Sequence, residues 1–334
     1  MPRSAKKVKA ISRDAAIILL IIVIFVGTIA GVILSVHEGV LQKSIATIGR
    51  VGNGVIGYMV PLYSYPNPPT RYDNLIQLKE KFPNVPIGVI LNLHNGPGLT
   101  PDPIIARYID KFRMTGILVL GYVYTGSTPG STPGLRDLAG SDSINGAADY
   151  GRGVEQSITT WASFYDLSGI YLDNGPSGDA NSPAMGYPGH TILEYYEGAT
   201  RYAKDNFGYD LVFGNPGGIP GQNYSKSFVG SVDVINSIES PQLDSPTQVE
   251  YSTTRNGGNS SQWSMIAYDN PNAPSVDYLR SISEYVGWIY VSDASSGINY
   301  QIEPTYQIST VENLAILDDS NNTITTVVPT YKPV

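Results

Sequence analysis

Short apolar runs recur between Val55 and Leu317, each ending in polar residues and each followed by a helical stretch. The runs are Ile56–Leu62, Ile87–Leu93, Ile117–Tyr124, Gly169–Asn174, Leu211–Gly214, Val232–Ile238, Ser264–Tyr268 and Trp288–Val291. Between and after them, Tyr72–Phe82, Pro101–Met114, Val154–Tyr165, His190–Phe207, Gln222–Phe228, Pro246–Tyr251, Val276–Val286 and Ser309–Leu317 read as helices. In Pro101–Met114 the apolar residues Ile104, Ile105, Tyr108, Ile109 and Phe112 share one face, as a 3.6-residue period requires. Strands that alternate with helices build a parallel sheet. Eight such units in this length predict an α/β fold of the (β/α)8 TIM-barrel type. A doubly wound open sheet is the alternative. No Gly-rich dinucleotide fingerprint follows the first strand, which argues against its nucleotide-binding form.

The N-terminus has a different character. Residues 1–14 carry Arg3, Lys6, Lys7, Lys9 and Arg13, and residues 15–36 carry no charge. A helix of that length rises far enough to cross the ~30 Å hydrocarbon core. The basic cluster before it predicts an inside N-terminus, with the chain from His37 outside. Lys9-Ala10-Ile11-Ser12 resembles the signal peptides of archaeal pilin-like proteins, which are cut before an apolar segment that stays attached. The expected layout is a basic cytoplasmic segment (1–14), a transmembrane or signal-anchor helix (15–36), a stem (37–54), the barrel (55–317) and a polar tail (318–334). The expected location is the cell surface, with the membrane as a partner through residues 15–36.

Outside the first 14 residues, 16 basic residues face 28 acidic ones, so nucleic acid is a poor partner. The absence of cysteine excludes disulfides, thiolate catalysis and Cys-ligated metal sites. Three scattered histidines, at 37, 94 and 190, make a His-based metal site a poor reading, and no phosphate loop or nucleophile elbow is visible. No cofactor is expected. Tyrosine, at 24 residues, offers flat apolar faces with polar edges that suit sugar rings.

The chemistry gathers at the strand ends. In order these carry Tyr63, Asn92 with His94, Tyr124, Asp173 with Asn174, Asn215, Glu239, Asp269 and Asp293. Barrel enzymes assemble their sites from that face. Carboxylates with amides and tyrosines are the groups glycoside hydrolysis uses, one acid protonating the leaving oxygen and another stabilising or attacking the anomeric carbon. Asp173 and Glu239 end next-but-one strands, about 10 Å apart at the backbone from the ~4.8 Å strand spacing. Inward-leaning side chains bring such a pair into the ~5–9.5 Å range of glycosidases, which leaves retention and inversion both open. Tyr63, Asn92, His94, Tyr124, Asn174, Asn215 and Asp269 are the candidate sugar contacts. Asp269 precedes Asn270-Pro271 and also reads as a turn residue.

Several motifs resemble the spherulin-4 (spherulation-specific family 4) proteins: Val60-Pro61-Leu62-Tyr63-Ser64-Tyr65-Pro66, Asn95-Gly96-Pro97-Gly98, Leu120 to Gly126, Gly169-Ile170-Tyr171-Leu172-Asp173 and Gly214-Asn215-Pro216-Gly217. The resemblance implies a (β/α)8 barrel and an endo-acting glycosidase for α-1,4-linked N-acetylgalactosamine in a secreted polysaccharide. It implies an Asp-Glu pair at the end of strand four, where this chain has Asp173-Asn174, and a Glu at the end of strand six, matched by Glu239. The sequence therefore predicts an extracellular glycoside hydrolase acting on an amino-sugar polysaccharide, with Asp173 and Glu239 as the working pair. The alternatives are a surface carbohydrate-binding protein without catalysis and a structural, pilus-associated component. The oligomeric state stays open.

Overall fold

A computed structural model of the chain describes residues 39–40, 42–43, 46–126, 153–173, 181–184, 188–216 and 228–325. The chain divides into two units, Met1–Lys43 and Ser44–Val334. The expected membrane segment at 15–36, the helix expected at 222–228 apart from Phe228, Asn174, and most of the two loops after strands three and four lie outside the described residues. Among the described residues, no helix is long and apolar enough to cross a membrane.

Eight parallel strands close into a barrel in chain order. They are β1 (Gly57–Leu62), β2 (Ile87–Leu91), β3 (Leu118–Tyr124), β4 (Gly169–Asp173), β5 (Leu211–Gly214), β6 (Val234–Pro241), β7 (Trp263–Tyr268) and β8 (Trp288–Val291). The closing pairs are Gly57 with Trp288 and Tyr58 with Ile289. The described helices are α1 (Thr70–Lys81), α2 (Pro103–Thr115), α3 (Val154–Phe164), α4 (Ile192–Phe207), α5 (Pro246–Ser252), α6 (Val276–Ile282) and α7 (Gln307–Thr325). The fold is the (β/α)8 barrel that the alternation predicts.

Local chemistry sets the helix ends. Asp102 caps α2 by accepting from the Ile104 and Ile105 amides at 2.8 and 3.2 Å. Gly116 closes that helix at φ +85, in the left-handed region where a side chain is strained. Thr191 and Glu194 form a reciprocal capping box that starts α4. Ile105, Ile109 and Phe112 then turn the apolar stripe of α2 onto the sheet, each 1% exposed or less.

Two boundaries differ from the sequence reading. The stem is not a free connector. Thr47 donates to the Gly116 carbonyl at 3.4 Å, and Ile48 and Val51 pack against the barrel-interior cluster that holds Met59, Leu118 and Trp288. Residues 46–51 therefore close the N-terminal mouth of the barrel. The last helix also continues past Leu317. Asp318 is buried and accepts from Arg50 at 2.5 Å, so the first residue that read as tail is pinned to that same end.

One strand breaks the regular pattern. Along the β6–β7 ladder Asn236 pairs with Ser264 and Ile238 with Met265, which leaves Ser237 as an extra residue. A bulge of this kind reverses the in–out alternation beyond it. Val234 and Asn236 face the barrel interior, Ile238 joins the outer core, and Glu239 faces inward again. Strict alternation from Val234 would have sent Glu239 outward.

Two expectations follow. A Cβ on Gly169 would meet the Leu211 carbonyl oxygen at 1.9 Å, and that oxygen belongs to a strand locked in the barrel. Gly169→Ala should therefore cost about 3 kcal/mol or more in urea unfolding; an unchanged midpoint would contradict the packing. Burial is also the main cause that raises the hydroxyl pKa of Tyr58, Tyr63, Tyr72, Tyr122, Tyr171, Tyr196, Tyr209, Tyr290 and Tyr300 above the ordinary 10.0. The folded chain holds these protons more tightly than the unfolded one. Their contribution is thus complete below pH 10 and is lost as the pH rises above it, at about 1.4 kcal/mol per pH unit for each phenol. Unfolding midpoints should stay level through pH 9 in this respect and fall steeply above pH 10. A midpoint that is flat to pH 11 would refute this reading.

Candidate active site

The strand ends carry the site. β4 delivers Asp173, whose main-chain carbonyl accepts from both the amide and the hydroxyl of Thr125, at 2.8 and 2.7 Å. Its position is therefore fixed by the neighbouring strand. Tyr122 donates to Asp173 Oδ2 at 2.5 Å, and Asn215 donates to Oδ1 at 2.8 Å. The same Asn215 nitrogen donates to Glu239 Oε2 at 3.0 Å. Tyr300, from the loop after β8, donates to Glu239 Oε1.

The shared nitrogen sets the distance between the two facing oxygens, Asp173 Oδ1 and Glu239 Oε2. An amide nitrogen carries two hydrogens about 120° apart, so its two acceptors stand about 5 Å from each other and under about 6 Å at any bend. Which way the Asn215 amide faces is settled from below. Its oxygen accepts from Asn236 Nδ2 at 3.4 Å, and the Asn236 oxygen accepts from Ser264 Oγ at 3.1 Å. Asn215, Asn236 and Ser264 are all buried. This polar chain rises through the barrel and ends with both amide protons on the carboxylates.

Aromatic rings surround the pair. Tyr63 meets Tyr122 edge-on at 5.5 Å and Tyr300 at 5.2 Å. Tyr171 stacks on Tyr122 at 6.2 Å. Burial first, and then the negative charge of Asp173, pushes the Tyr122 hydroxyl well above its ordinary pKa; burial and then Glu239 do the same to Tyr300. Both phenols therefore remain protonated donors across the neutral range. Asp173, Glu239 and Asn215 open with Tyr63, Tyr171, Tyr268 and Tyr300 onto a cavity of about 360 Å³.

The other sequence candidates sort themselves by place. Asn92 and His94 line a second cleft of about 620 Å³, which shares Tyr63 with the first. Tyr124 packs against the interior cluster beside Asp173. Asp269 takes the turn role, at φ +54 with its amide on the Ala294 carbonyl, and Tyr268 before it lines the cavity instead. Asp293 braces a loop by accepting from Thr305. Asn174 lies outside the described residues. Among the described residues, no group of three or more His, Asp or Glu could hold a metal ion.

Sequence reasoning missed Tyr122, Asn236 and Tyr300. The first had a signal, because it stands two residues before Tyr124 and so shares its face one layer deeper. Asn236 sits inside a run that reads as plain apolar strand. Tyr300 arrives from a loop with no periodicity to place it.

Comparisons with known proteins agree with this architecture. Residues 57–313 match the spherulation-specific family 4. Spherulin-4 of Physarum polycephalum is 25% identical over 249 residues, a match that covers 72% of this chain. The chain spans 64% of the length of that relative. The crystal structure of Aspergillus clavatus Sph3 in complex with GalNAc superposes with a TM-score of 0.58 at 20% identity, covering 79% of this chain and 98% of that one. That likeness shows the shared barrel. With the family matched across the whole barrel, this chain belongs to the spherulation-specific family 4.

Proposed function

We propose that the chain is a retaining glycoside hydrolase acting on a polysaccharide of α-1,4-linked galactosamine and N-acetylgalactosamine. The observation that carries the chemistry is the Asn215 nitrogen shared between Asp173 and Glu239. The separation of about 5 Å between their facing oxygens supports the close spacing of retaining enzymes over the ~6.5–9.5 Å that inverting enzymes need for a water. The sugar class draws on the GalNAc bound to Sph3, and the net charge of −8 suits a partly deacetylated, cationic glycan.

In this reading Glu239 is the general acid and gives a proton to the glycosidic oxygen as that bond breaks. Asp173 uses its carboxylate to attack the anomeric carbon or to stabilise the positive charge there. Water then attacks the same carbon and passes its proton to Glu239, which restores both groups. Tyr122 and Asn215 hold Asp173 in place by donating to it, and Tyr300 and Asn215 do the same for Glu239. Tyr63 and Tyr268 supply the flat walls for the sugar ring. The apolar segment 15–36 would hold the barrel at the outer cell surface. Protease accessibility on intact cells, with the chain in the membrane fraction, tests that location.

The activity test is release of reducing ends from partly deacetylated α-1,4-galactosaminide polymer. Asp173→Asn and Glu239→Gln should each lower kcat about 10³-fold. Polymer binding without release, unaffected by either change, would instead describe a carbohydrate-binding protein. Proton NMR of the first product should show the starting α anomer; a β product would refute the retaining assignment.

Tyr122→Phe probes the pH dependence. It removes a donor that favours the ionised form of Asp173, so protonation of that carboxylate becomes easier. The acid limb of kcat/KM should move to higher pH, while loss near neutrality stays modest. An acid limb that does not move would remove Tyr122 from this role.

A further inference from the structure

Beyond the carboxylates the cleft continues. The 620 Å³ cavity over the ends of β1 and β2 is larger than the 360 Å³ cavity that holds Asp173 and Glu239. Tyr63 lines both and touches Tyr122 and Tyr300, the two phenols that bond the carboxylates. The two cavities thus adjoin at Tyr63.

The outer part has the chemistry of a sugar platform. Tyr65 is 47% exposed, yet its hydroxyl is held by Asp102 Oδ2 at 2.9 Å. Asp102 is itself fixed, because its other oxygen caps α2. The ring is therefore oriented before any ligand arrives, and little entropy is lost when a flat sugar face lies on it. Leu99, 60% exposed, adds a second apolar surface on this cavity. Asn92 and His94 put polar edges beside it, where ring hydroxyls need partners.

We propose that this cavity is a distal subsite, which binds further sugar units of the same chain that Asp173 and Glu239 cut, with Tyr65 as its stacking platform. The proposal rests on the glycosidase reading for its ligand class. A groove that runs past the cutting point favours long substrates over short ones, because each extra unit adds contact only if there is surface to receive it. Tyr65 lies outside the contacts made by either carboxylate, so its effect should appear in chain-length preference.

The test compares the disaccharide with a hexasaccharide of α-1,4-linked galactosaminide, by KM on the active chain and by calorimetric Kd on Glu239→Gln, which leaves the ligand uncut. The parent should bind the hexasaccharide more tightly. Tyr65→Ala should shrink that preference about tenfold. Tyr65→Phe, which keeps the ring and loses the bond to Asp102, should shrink it by less. Leu99→Ala gives a second reading should Tyr65→Ala lower the Tm. A preference unchanged in Tyr65→Ala and Leu99→Ala, or a parent with no preference for length, overturns the subsite. Length-dependent binding without any release would sink the hydrolase reading and keep the subsite. Release with a flat length dependence would do the reverse.

Discussion

Two carboxyl groups whose facing oxygens stand about 5 Å apart repel whenever both are charged, and the fold must supply a reason for them to stay. Here the reason is one amide nitrogen. Asn215 lends one hydrogen to Asp173 and the other to Glu239, so each carboxylate is held in place by the group that holds its rival. A lysine there would neutralise one charge; an amide compensates both partly and removes neither.

That clasp depends on the irregularity in β6. Ser237 is the extra residue, and it allows Asn236 and Glu239 to face the same interior although they stand three apart. With a regular strand, only one of them could do so. The bulge thereby puts the acid and the support of its clasp on one face: Asn236 orients Asn215 from below, and Glu239 receives it from above. The polar chain down to Ser264 crosses a barrel interior otherwise filled by Met59, Leu118, Tyr171, Phe213 and Trp288. Buried amides in such a setting are costly unless bonded, so the ladder has one satisfied arrangement and little freedom to rotate. Rigidity at the carboxylates is the consequence.

The legibility of this arrangement in the sequence follows the physics of each part. Strands buried on both faces read as apolar runs, and eight of them between helices define the barrel without any contact being known. Asp173 and Asn215 end their strands and were visible for that reason. Glu239 was visible only as a residue past an apolar run; that run, read as one regular strand to Ile238, hid the bulge at Ser237, and the strand in fact continues to Pro241. Tyr300 depends on how a loop folds back over the barrel mouth, and local pattern carries no information about that. Asp269 resembled the other strand-end acids, but its left-handed backbone turns it into the connection instead. The stem and the tail misled in a common way: Thr47 and Asp318 are polar, and their burial comes from partners 69 and 268 residues away in sequence, Gly116 and Arg50.

Those same distant contacts give the barrel two unlike ends. At one end Ile48 and Val51 plug the mouth, Thr47 bonds the turn before β3, and Arg50 ties the last helix to the first described segment of the barrel unit. No chemistry is asked of this end, and its apolar plug and ion pair serve closure. At the other end the carboxylates, phenols and both cavities lie open. The barrel unit begins at Ser44, so its chain enters at the plugged end. Separation of stability from chemistry along the barrel axis is a general property of this fold. In this chain the entry of the polypeptide uses the same division.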